Sequence, residues 1–255
     1  MKFLSALPQA KYAGPVLQLS KYTASLTPTP AKVFYEYKIP ASAWGMMENA
    51  TVGDCEFARM GHMLMNFTAH TGKMVVPTDA QIIAAYSAVT GYDPSQTQPD
   101  GSNPTDNGAA TPDVLNYWQN VGIAGHKIAG WAQVDSTQEA IQQAIWLFGG
   151  AAIDISIYQS MMDQTQADEP WDDPTGALLG YHAVPAEGFG KDGLTVITWG
   201  ALQQMGWPTC LKVLEGCYIV ITQDWIEQNG KAPNGFDLAT LQSDLNLLQS
   251  TPQSQ

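Results

Sequence analysis

Apolar residues recur at helical spacing over residues 54–70, where Phe57, Met60, Leu64 and Phe67 share one face and Gly72 supplies a stop. The run PTDAQIIAAYSAV (77–89) predicts a second helix, with Pro and Asp at its start. TPDVLNYWQNVG (111–122) predicts a third, with Thr111 as N-cap, Pro112 at the first helical position and Gly122 as the stop. STQEAIQQAIWLFGG (136–150) predicts a fourth, opened by a capping box of Ser136 and Glu139. The pattern then changes to strand-like runs. AAIDISIY (151–158) is one, and from Tyr181 onward HAVPAEGFG, LTVITWG and CYIVI are others. Residues 91–110 and 163–180 are polar and dense in turn formers, and both read as loops. Residues 1–43 show no sustained period and read as an extended arm, in which VFYEYKI looks like a short strand able to pair with the body. Residues 237–248, DLATLQSDLNLL, predict an amphipathic helix before a loose tail. No internal repeat is visible. Helices come first and strands later, which is an α+β arrangement with two lobes and a site in the cleft between them. The expected organisation is an arm (1–43), a core (44–228) split into a mainly helical lobe (44–130) and a mainly β lobe (131–228), and a C-terminal helix and tail (229–255).

Composition narrows the function classes. Eleven basic against 24 acidic residues give a net charge of −13, which disfavours nucleic acid and anionic membrane surfaces as partners. No apolar run approaches the roughly 18–20 residues that span a bilayer. The start, MKFLSALPQAKYAG, is interrupted by Gln9 and Lys11 and reads as no signal peptide, which favours a cytoplasmic or phage-associated location. Two N-x-T sequons, at Asn49 and Asn66, read as chance matches. Three cysteines cannot staple a chain of 255 residues, although Cys210 and Cys217 could pair across a turn.

The four histidines form no zinc signature, so no metal and no cofactor is expected. GFGKDG (188–193) matches a dinucleotide-binding pattern, but it lies between two strand-like runs and reads as a hairpin turn. Cys55 is more informative. It follows Gly53-Asp54 at the predicted start of a helix, where exposed N–H groups and the macrodipole favour a thiolate. A base for it must come from elsewhere in the chain. His62 is seven residues on, roughly 10 Å along a helix and too far for a hydrogen bond. His70 is further still, and His126 lies in a connecting loop. His182, far downstream at a predicted strand, is left as the candidate.

The stretch GYHAVPAEGFGKDGLTVITWG (180–200) resembles the histidine segment of papain-like cysteine peptidases, where a strand following His-Ala-Val ends in Asn-Ser-Trp-Gly. NATVGDCEFA (49–58) resembles the nucleophile segment of that family, with an amide residue six positions before the Cys. NGAATPDVLNYWQNVGI (107–123) resembles its glycine strip and following helix. QEAIQQAIWLFGGAAIDISIY (138–158) resembles its helix-to-strand segment. The chain also looks like bacterial and phage-associated proteins with similar blocks. The resemblance implies a two-lobed α+β fold and a peptide or protein substrate. It implies Cys55 as nucleophile, His182 as the proton carrier, Asn49 as the oxyanion-hole amide, Gly108 and Ala109 as the strip that pairs with substrate backbone, and Trp199 as a shield over the histidine.

Some residues depart from the family pattern. Counting back from Trp199 puts Ile197 where the family has its histidine-orienting Asn, whereas counting forward from His182 puts Thr198 there. Asp54 and Glu56 flank Cys55, and nearby carboxylates oppose thiolate formation. Residues 1–43 are shorter than the family's usual inhibitory propeptide. The expected activity is therefore thiol-dependent peptide hydrolysis, with a catalytically impaired papain-fold pseudoenzyme, acting as a binding or phage-associated structural protein, as the alternative.

Overall fold

The computed structural model describes residues 16–23 and 28–222, together with Ser243. The start of the chain and all but Ser243 of the leucine-bearing helix expected over 237–248 lie outside the described residues.

In chain order the elements are α1 (Ser20–Thr23), β1 (Val33–Phe34), α2 (Cys55–Thr71), α3 (Asp79–Thr90), α4 (Thr111–Asn120), β2 (Gly130–Gln133), α5 (Gln138–Phe148), β3 (Ala151–Tyr158), α6 (Gln159–Gln166), β4 (Leu178–Phe189), β5 (Gly193–Thr198), β6 (Ala201–Gly206), α7 (Trp207–Val213) and β7 (Leu214–Ile221). Helix α2 ends where expected, on Gly72 in the left-handed region. Two expected caps are displaced by one residue. Thr137, not Ser136, caps α5, its hydroxyl accepting from Ala140 N, because the backbone stays extended through Thr137. Thr111 lies inside α4 with Ala110 as N-cap, and its side chain turns inward to a buried cluster.

The strands form one antiparallel sheet in the order β2-β7-β3-β4-β5-β6, with β1 added on β4. Of the expected strand VFYEYKI, Val33–Phe34 alone is extended, pairing Val33 with Phe189 and Phe34 with Gly188, and Glu36–Lys38 turns into a 3-10 helix instead. The sequence GFGKDG closes the β4–β5 hairpin, with Gly190 N donating to Gly193 O at 2.9 Å. A Cβ on Gly193 would stand 2.1 Å from Met205 O, so this position admits β6 only as glycine.

Alternation along β3 separates two cores. Ala151, Ile153, Ile155 and Ile157 enter a cluster with α5, α7 and Trp171. Ala152 joins a second cluster built on α2, α3 and α4. Three elements escape the sequence pattern. Helix α6 has one buried residue, Met161, and occupies part of the expected loop at 163–180. Strand β6 has Met205 as its one buried residue. Helix α7 follows β6 without a break. Trp171, fully buried, fastens the polar segment beside α6 by donating from Nε1 to Thr165 Oγ1 at 2.7 Å. Cys210 and Cys217, which could have paired, are both free and buried. Among the described residues, no helix is long and apolar enough to cross a membrane.

Candidate active site

Cys55 is the first residue of α2, and its thiol is buried against Ala183 with Tyr181 packed beside it. Helix α2 lies against β4, and β4 carries His182 in register with Ile155 of β3. Cys55, His182 and Asn49 line one pocket, together with Arg59, His62, Thr198 and Trp199 among others. The free space between these walls is about 10 Å³, roughly the room of one water molecule.

Of Ile197 and Thr198, it is Thr198 whose side chain is hydrogen-bonded to His182. His182 Nε2 lies 2.7 Å from Thr198 Oγ1, and both residues are buried. Ile197 also lines the pocket, but its side chain has no atom that could accept from imidazole. Trp199 stacks on the His182 ring, with centroids 4.5 Å apart and planes 13° from parallel. The stack comes from a two-residue hairpin between β5 and β6, in which Thr198 pairs with Ala201. Its central residues, Trp199 at φ 47° and Gly200 at φ 74°, are both left-handed, as a type I′ turn requires. Tryptophan in that conformation is strained by about 1–3 kcal/mol.

Asn49 is presented by a second strained segment, with Met47 at φ 51° and Glu48 at φ 67°. Five non-glycine residues have positive φ among the described residues, and three of them, Met47, Glu48 and Trp199, are in the segments that carry pocket residues. The two N–H groups of the Asn49 amide point to Val52 O and Asp54 Oδ1, each at 3.2 Å. Asp54 is fully buried, and that burial pushes its carboxyl well above the usual range despite the Asn49 bond, with the charges of Asp106 and Glu48 adding to the rise.

Gly108 and Ala109 are not walls of this pocket. Gly108 is tied to the turn before Cys55 instead. Its N–H donates to Tyr86 Oη at 3.0 Å, the Tyr86 hydroxyl donates to Asp106, and Asp106 accepts from Gly53 N at 2.9 Å. His62 lines the pocket but donates from Nε2 to Gly45 O at 2.9 Å. Burial pulls its pKa down to about 4, so it is neutral at physiological pH. His70 bonds Tyr35 O, outside the pocket. Both sequon asparagines are buried.

No protein-family model matches the chain, and no curated protein matches it in sequence. Solved structures do match it in shape. Xylellain, a cysteine protease from Xylella fastidiosa, has 12% identity and a TM-score of 0.61 over 87% of this chain and 98% of its own. The cysteine protease CMS1MS2 of Carica candamarcensis, in complex with E-64, has 14% identity and a TM-score of 0.53 over 76% of this chain and 99% of its own. The digestive procathepsin L 3 of Tenebrio molitor larval midgut has 12% identity and a TM-score of 0.59 over 84% of this chain and 75% of its own. The fold is that of the papain-like cysteine proteases. Identities this low carry the fold alone.

Within this papain-like fold the chain holds a feature that the reading of single motifs missed. Arg59, the one arginine in 255 residues, lies fully buried four positions after Cys55. It pairs with Glu56 on its own helix and with Asp154 on β3, and it donates to Ile153 O and Thr111 Oγ1, each at 3.2 Å. Thr111 Oγ1 lies 2.8 Å from Glu56 Oε1 and 2.7 Å from Asp154 Oδ2. A hydroxyl has one hydrogen and cannot donate to both. A proton on Glu56 satisfies the second contact, in line with burial pushing that carboxyl up to about 8 despite Arg59. Asp54 and Glu56, the flanking carboxylates expected to oppose the thiolate, are both buried, and burial raises the pKa of each. The signal available beforehand was a lone arginine one helical turn from Cys55. Among the described residues, no group of three or more His, Cys, Asp and Glu side chains could hold a metal ion.

Proposed function

We propose that the chain is a thiol hydrolase of the cysteine peptidase type, cleaving peptide bonds through Cys55 and His182. What carries the reading is a single pocket, walled by Cys55, His182 and Asn49, in a papain-like fold. The helix start at Cys55 favours the thiolate. His182 Nε2 is committed to Thr198, which leaves Nδ1 as the nitrogen that takes the thiol proton. The thiolate attacks the peptide carbonyl carbon, and the carbonyl electron pair moves to oxygen. The Cys55 backbone N–H and the Asn49 amide face that oxyanion, an effect worth about 3–4 kcal/mol per donor. The tetrahedral species collapses, His182 hands its proton to the leaving amine, and an acyl-thioester remains on Cys55. Water, with His182 as base, then releases the acid and restores the thiol. For Asn49 to serve, its amide must release Val52 O or Asp54.

The test is turnover of a broad peptide library. Cys55→Ala and His182→Ala are expected to abolish cleavage while the circular dichroism spectrum stays native. Absence of Cys55-dependent cleavage in the wild-type chain would overturn the proposal. One observation favours the second reading, an impaired papain-fold binding protein: both Asn49 N–H groups are already engaged. That reading predicts slow alkylation of Cys55.

A further inference from the structure

We propose that Arg59 is a positioning residue for the nucleophile, its buried charge sustaining the Cys55 thiolate against the carboxylates packed around it. This rests on Cys55 being the nucleophile, but it is read on the thiol and not on turnover. Four observations point to it. Cys55 and Arg59 stand at i and i+4 on α2, so their side chains are neighbours on one helix face. Both line the same pocket. The Cys55 charge is among the interactions that hold the Arg59 guanidinium above its ordinary pKa, after those of Glu56 and Asp154 and against burial. Arg59 Nε, buried, has no hydrogen-bond partner among the described residues, while both terminal nitrogens are spent on Glu56, Asp154, Ile153 and Thr111.

The groups facing Cys55 account for the charge balance. Asp54 precedes it as the N-cap of α2 and Glu56 follows it on the helix, His62 lies further along the same helix, Asp154 is on β3, and Tyr181 and His182 are on β4. Burial raises the carboxyls of both Asp54 and Glu56, Glu56 to about 8, and so weakens their charge beside the thiol. His62 is neutral. Arg59 ion-pairs with Asp154, the carboxylate that β3 brings to this cluster. Without Arg59 that carboxylate acts on the thiol uncompensated, and a like charge disfavours the thiolate. The guanidinium suits the task because it cannot lose its proton, so the compensation persists at every pH where the thiol titrates.

The experiment is the pH dependence of Cys55 alkylation by iodoacetamide in the full chain. In Arg59→Met, the midpoint is expected to rise by about one pH unit or more, with the rate at pH 6 down about ten-fold. In the double variant Glu56→Gln, Asp154→Asn, the guanidinium keeps its charge and the thiolate becomes its anionic partner, so the midpoint is expected to fall. Packing damage alone gives no reason for shifts of opposite sign. If Arg59→Met does not fold, the double variant decides. A midpoint that stays at the wild-type value in the folded variants, or moves the same way in both, overturns the proposal. Failure of the peptidase reading itself shows differently, as an absence of Cys55-dependent cleavage in a chain whose thiol midpoint still follows Arg59.

Discussion

At the residue scale, His182 is oriented by a hydroxyl where the resemblance implies an amide. Thr198 Oγ1 can both donate and accept, so it holds the ring while enforcing its tautomer less strictly than an amide oxygen would. Thr198→Val keeps the volume and removes the bond. It is expected to lower kcat/KM about ten-fold, the worth of one hydrogen bond of about 1–1.5 kcal/mol, while Cys55→Ala abolishes turnover. Unchanged kcat/KM in Thr198→Val would show that Thr198 does not orient the base. Cys55, His182 and Asn49 could be named as candidates because each sits in a short block with recognisable neighbours, and the fold brings the three to one pocket. The choice of Thr198 over Ile197 was not legible, since one deleted residue made both counts possible. Side-chain direction in β5 resolved it. The engaged amide of Asn49 was also hidden, because it depends on the burial of Asp54.

At the element scale, the β5–β6 hairpin builds one wall of the site. A two-residue turn with both central residues left-handed ordinarily takes Asn-Gly, and here it takes Trp-Gly, trading local strain for a ring stacked on His182. Gly200 makes the turn possible. A Cβ there would lie 3.0 Å from Trp44 O at a φ of +74°. Gly200→Ala is expected to destabilise the chain by about 1–3 kcal/mol, read as a lower urea midpoint at unchanged slope. A midpoint equal to wild type would contradict this. Helices with strong periodicity were legible to within a residue or two, as α2 and α5 show. Helix α6 and strand β6 were not, because each has one buried side chain, Met161 and Met205, and one anchor sets no period. The inward turn of Thr111 belongs here too. Its sequence context is that of a cap, and the buried carboxylates of α2 and β3 claim its hydroxyl instead.

At the scale of the whole molecule, the acidic balance is partly internal. Asp54, Glu56 and Glu187 are buried at 2% exposure or less, and Glu36 is nearly so. Burial pushes Glu36 up to about 7, and it pushes Glu187 well up with the charge of Glu36 adding. Each group binds its proton more tightly folded than unfolded. Its contribution is therefore fully present below the ordinary carboxylate value near 4.5 and is lost as pH rises through the folded value, about 7 for Glu36 and about 8 for Glu56. His62 acts oppositely at the acid end. Its folded pKa is lowered to about 4, so its contribution is present above about 6.5 and declines as pH falls toward 4. Thermal midpoints are expected to fall between about pH 6.5 and 8, and Glu36→Gln should flatten the lower part of that slope. A midpoint that holds or rises over this interval would contradict the burial of these groups as charged-form penalties. The count of −13 gave no hint of this, because net charge does not say which carboxylates are inside.

Arg59 joins the scales, since it ties α2 to β3 and α4 beneath the thiol. The central claim, that Cys55 and His182 form a nucleophile–base pair, is tested most directly by iodoacetamide alkylation of Cys55 across pH 4–9, in wild type and in His182→Ala. The wild-type chain is predicted to react rapidly well below the free thiol value of about 8.5, and His182→Ala to lose that acidic limb. Identical profiles in the two chains, both rising only near the free thiol value, would contradict the pairing.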